Sequence, residues 1–61
     1  MITTLKDFVI RVAGLDDVHD AYYVFEEECS DALRDYIYSL AIPDSSEPFR
    51  SAMISIGFDT Y

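Results

Sequence analysis

The chemistry on offer in this sequence is almost entirely carboxylate. Twelve Asp and Glu stand against four Lys and Arg, and Asp17, Asp20, Glu27, Glu28, Asp31 and Asp35 fall within one short stretch. Carboxylates that converge in an apolar pocket trade protons or hold a cation, whereas carboxylates spread along a wetted surface steer basic partners. The spacing gives no sign of such a pocket. His19, the only histidine, has Asp16, Asp20 and Tyr23 at helical spacing. One imidazole and two carboxylates without an HExxH pairing fall short of a metal site, so a surface histidine and no metal are expected. Cys29 is the only cysteine, which rules out an intrachain disulfide and a multi-thiolate metal site. Its place among apolar neighbours makes it a small core hydrophobe rather than a nucleophile. Ser30 and Ser39 lack a glycine-framed elbow and a nearby base, and neither a GxGxxG fingerprint nor a P-loop occurs. Neither an enzyme nor a cofactor is expected.

The element that must carry the carboxylates is helical. Between Asp16 and Ala41 the apolar residues Val18, Ala21, Tyr22, Phe25, Cys29, Ala32, Leu33, Tyr36 and Leu40 recur at steps of three and four, which predicts one long amphipathic helix. Asp16 or Asp17 caps its start and Pro43 stops it, while Ser30 followed by Asp31 offers a place to restart a helix midway. Flanking it, Thr4 and Asp7 form a capping-box-like pair ahead of Leu5, Phe8, Val9 and Val12, with Gly14 at the closing position. On the other side Ser45 or Ser46, Pro48 and Gly57 bracket a helix carrying Phe49, Ala52, Met53 and Ile56. The expected fold is therefore all-α, a small bundle of one long helix with two short flanking helices. The alternative is an α+β, βαβ-like arrangement with strands at Phe8 to Val12 and Ile54 to Phe58.

Sixty-one residues make a single domain, 1–61, whose stability is marginal because so short a chain buries only about 60% of its unfolded surface. A hydrophobic content of 51% with nine aromatics excludes a disordered chain. Neither a signal-peptide block nor an uncharged run of spanning length is visible, so a soluble cytoplasmic protein is expected. A net charge of −8 disfavours direct binding to nucleic acid or anionic membrane and favours a basic protein surface.

On a wheel for the unbroken helix the acids occupy the side opposite the apolar stripe, with Val24, Tyr38 and, at the margin, Tyr23 among them. Arg34 is the one cation inside the stretch, so the like charges repel without local relief. A purely solvating face has no use for Val24 and the tyrosines, whereas a docking patch does: the acids steer and the aromatic rings supply buried area. The partner-binding residues are thus expected to be Asp17, Asp20, Tyr23, Val24, Glu27, Glu28, Asp31, Asp35 and Tyr38. Acids one turn apart lie about 5–6 Å from each other, close to the spacing of neighbouring phosphates. In size, acidity and aromatic content the chain resembles small phage-encoded inhibitors that mimic DNA, among them anti-CRISPR and anti-restriction proteins. That resemblance implies a stoichiometric inhibitor of a nucleic-acid-binding protein. A 24-residue helix is about 36 Å long, more than two short neighbours can cover. A homodimer is therefore expected, with Tyr22, Phe25, Cys29, Leu33 and Tyr36 at its interface. The rival function is a structural homo-oligomer whose acidic face is only solvated.

Overall fold

The computed structural model describes residues 1–58. Four helices follow one another: α1 (Leu5–Val12), α2 (Val18–Glu28), α3 (Asp31–Ser39) and α4 (Pro48–Ser55), with no strand among the described residues. The all-α class holds, and the single long helix does not. The molecule's greatest extent is 29 Å, shorter than the rod an unbroken Asp16–Ala41 helix would form.

The break falls at Cys29 and Ser30, both extended, with ψ of 148° and 159°. Ser30 caps α3, its Oγ accepting from the Leu33 amide at 3.2 Å, which relieves an orphan donor at the new helix start. The N-terminal segment then clamps the break from outside. The Ile2 amide donates to the Glu28 carbonyl at 2.7 Å and the Ser30 amide donates to the Ile2 carbonyl at 2.9 Å, forming an isolated parallel bridge between Ile2 and Cys29.

The other ends follow local rules. Thr4 Oγ1 accepts from the Asp7 amide at 3.2 Å, and Asp17 Oδ1 accepts from the His19 amide at 2.8 Å. At α4 the expected serine cap is absent: Glu47 is the N-cap, makes no side-chain cap bond, and is followed by Pro48. Ser45 Oγ instead accepts from the Glu47 amide within the turn. Gly57, at φ +94°, closes α4 as a Schellman motif, with Phe58 donating to the Met53 carbonyl and Gly57 to the Ile54 carbonyl. α1 ends on Ala13 in ordinary helical geometry, so Gly14 is not used as a left-handed cap.

The core consists of Phe8 and Val12 from α1, Ala21, Val24 and Phe25 from α2, Cys29 at the break, Leu33 and Ile37 from α3, and Ala52 and Met53 from α4. Its centre is aromatic, since Phe25 meets Phe8, Tyr22, Tyr38 and Phe49 at ring separations of 4.9 to 6.3 Å. The straight wheel misplaces several residues here. Val24 and Ile37 are buried, while Tyr22, Ala32 and Tyr36 are exposed. Along an unbroken helix Ile37 lies about 120° round from Phe25 and Tyr36 only about 20°. The break resets that phase, so α3 turns Ile37 inward and Tyr36 outward.

Candidate interaction surface

Refolding the central stretch into α2 and α3 redistributes its acids. On α2, Asp20 and Glu27 are exposed, with Tyr23 beside them at 66% exposure. Asp17 spends one carboxylate oxygen on its own helix start and on the His19 ring, at 3.3 Å from Nδ1. On α3, Asp31 and Asp35 are exposed, and Tyr38 is partly open to solvent. Val24 is not on this surface: at 2% exposure it belongs to the core, because α1 packs against the flank of α2 that the wheel assigned to solvent. The stripe residues Phe25, Cys29 and Leu33 are likewise covered within the chain, whereas Tyr22 and Tyr36 are open. The bare stripe that called for a second copy is therefore largely covered by the chain's own fold.

Ion pairs sort the acids further. Arg11 of α1 forks onto Glu28, Nε to Oε1 at 3.2 Å and Nη2 to Oε2 at 3.1 Å. Arg34 pairs with Asp31, donates to the Glu26 carbonyl at 3.2 Å and approaches the Glu26 carboxylate at 3.8 Å, tying the end of α2 to α3. Arg50 pairs with Glu47 at 3.5 Å. Three of the four cations are thus engaged inside the chain, and Asp20, Glu27 and Asp35 face water with no cationic partner among the described residues. Such exposed pairs add at most about 1 kcal/mol each. Their main effect here is to use up the positive charge.

Sequence periodicity gave Glu26 no role and placed Phe49 only on the apolar face of the last helix, not beside Tyr22 and Tyr38. Between α2, α3 and the start of α4 lies an open groove of about 400 Å³, lined by Tyr22, Tyr38, Pro48 and Phe49 with Glu47 and Arg50. Hydrogen bonding to the neighbouring Glu26 carboxylate is the main influence on Tyr22. With burial and the nearby Glu26 and Tyr38 charges, it pushes the phenol up to about 12. Burial, then the Glu28 charge, pushes the Cys29 thiol up, keeping it protonated and unreactive. Among the described residues no three His, Cys, Asp or Glu side chains gather in a way that would hold a metal ion, and no helix is long and apolar enough to cross a membrane. No protein-family model, curated protein or solved structure matches this chain.

Proposed function

We propose that this is a small acidic binding protein, not a catalyst, acting as a stoichiometric inhibitor or modulator of a basic, nucleic-acid-handling partner. The observation carrying this reading is the imbalance left after internal pairing. Asp20 and Glu27 on α2 and Asp35 on α3 remain exposed and have no cationic partner among the described residues, and Tyr23, Tyr36 and Tyr38 on the same two helices are exposed as well. Unpaired carboxylates raise the on-rate toward a cationic surface, and tyrosines supply contact area at low entropic cost. In the mimicry form of this reading the carboxylates stand where the partner takes phosphates, in keeping with the compositional resemblance to phage-encoded DNA mimics. Because α2 and α3 break at Cys29, these are two short acidic segments and not one straight row of charges.

The test is capture of a partner on immobilised protein at low and high salt, with duplex DNA as competitor. Steep loss with salt, competition by DNA, and loss on reversing Asp20, Glu27 and Asp35 to Lys are expected. Tyr23→Ala weakens binding by about 1–3 kcal/mol if that ring is an anchor. A charge-reversed variant that binds its partner at full strength refutes the reading.

Homodimerisation is the second reading, supported by exposed aliphatic residues elsewhere on the chain: Val9 and Ile10 on α1 and Ile54 on α4. Light scattering at micromolar concentration checks it, a mass of 7.0 kDa counting against assembly.

A further inference from the structure

We propose that the groove between α2, α3 and the start of α4 receives an arginine side chain of the basic partner, with Tyr22, Tyr38 and Phe49 as its aromatic walls and Glu47 as its counter-charge. This rests on the acidic-binding reading above and adds where the partner anchors. The walls come from three separate helices that meet over Phe25. Tyr22 is stacked on Phe25 at 5.9 Å and crosses Phe49 edge-on at 4.9 Å, and Tyr38 meets Phe25 edge-on at 5.1 Å. Although packed on the core, Tyr22 and Tyr38 each keep 41% of their surface open. The groove is about 400 Å³ and is lined also by Val18, His19 and Arg50; its attraction for a cation comes from the ring faces and from Glu47.

Guanidinium suits it better than ammonium. It is planar, weakly hydrated, stacks on aromatic rings and still offers a donor fork to a carboxylate. Glu47 lies at the groove edge with a side chain 67% exposed, and among the described residues its carboxylate has only the single-point pair to Arg50. An incoming guanidinium exchanges with Arg50 on that carboxylate, and Arg50, half-buried in the first turn of α4, gives up the pair. Glu26, one helical turn beyond Tyr22 on α2, adds negative charge near the groove, although Arg34 approaches its carboxylate at 3.8 Å. An anionic occupant would meet Glu26 and Glu47, and a neutral one would gain nothing from either.

The test uses acetylated, amidated tetra-arginine, tetra-lysine and tetra-citrulline peptides titrated calorimetrically into the whole protein at low salt. The arginine peptide binds more tightly than the lysine peptide, and the citrulline peptide, which keeps the shape without the charge, does not bind. Tyr38→Leu lowers arginine-peptide affinity about two- to fivefold. Should that variant lose its helical circular dichroism, three surface changes still decide. Arg50→Gln frees Glu47 and tightens binding more than Lys6→Gln does, although both alter the net charge equally, and Glu47→Gln weakens it. Equal affinity for arginine and lysine peptides, or equal effects of Arg50→Gln and Lys6→Gln, overturns the groove. If binding is instead lost only when Asp20, Glu27 and Asp35 are reversed, the groove assignment fails and the broader acidic-surface reading stands.

Discussion

Replacing Ser30 with alanine tests what keeps the central acidic stretch in two pieces. The substitution removes the oxygen that accepts from the Leu33 amide at 3.2 Å, a cap worth about 1 kcal/mol. It also favours an unbroken helix by about 0.5 kcal/mol, alanine being the better helix former. Against straightening stand tertiary terms. Both backbone bonds to Ile2, at 2.7 and 2.9 Å, would break. Leu33 and Ile37, now 4% and 0% exposed, would leave the core at about 1.5–3 kcal/mol each. The burial term alone exceeds the propensity gain several-fold, so Ser30→Ala retains the break and simply loses its cap. A chain of this length has a total stability of about 3–9 kcal/mol, and a loss of about 1 kcal/mol lowers Tm by about 4–8 °C. Thermal and urea unfolding followed by circular dichroism give the magnitude, and backbone chemical shifts at Cys29 and Ser30 report whether they remain extended. A higher Tm together with helical shifts at those two residues would refute the reasoning, showing the break to be a capping effect without tertiary support.

Phe25→Ala, which empties the ring at the centre of the core, costs about 3–5 kcal/mol; urea unfolding followed by circular dichroism reads the loss, and a loss under about 1 kcal/mol would contradict the core described here. Gly57→Ala forces a side chain into φ +94° and destabilises by about 1–2 kcal/mol, whereas Gly14→Ala, with nothing within 4 Å and an ordinary φ, is neutral or stabilising; urea midpoints separate the two. Tyr22 holds its proton more tightly folded than unfolded, so its contribution to stability is intact below pH 10.0 and is lost as pH rises through about 12. Phenolate absorbance shows a late-titrating tyrosine in the native protein, and Tyr22→Phe removes that step.

Much of the local structure is legible in the sequence because its causes lie within a few residues. Thr4, Asp17 and Ser30 each cap a helix by accepting from an amide two or three positions on, Pro48 starts α4, and Gly57 ends it. The apolar identity of Phe8, Phe25, Leu33, Ala52 and Met53 marks them for burial, and the charge on Asp20, Glu27 and Asp35 marks them for water. Ser30 was visible as a possible restart, but whether the chain uses it depends on Ile2, far away in sequence, whose backbone completes the broken ends. The same holds for Val24, drawn inside by α1, and for Tyr22 and Tyr36, which a continuous wheel buries and the reset phase exposes. Which acids remain free is also a tertiary outcome, since Arg11 reaches Glu28 across 17 residues. The aromatic groove exists only where Phe49 of α4 meets Tyr22 and Tyr38. Periodicity reports which side of one helix is apolar; it carries no information on how many partners approach that helix or from which side, and those directions decide which residues are covered.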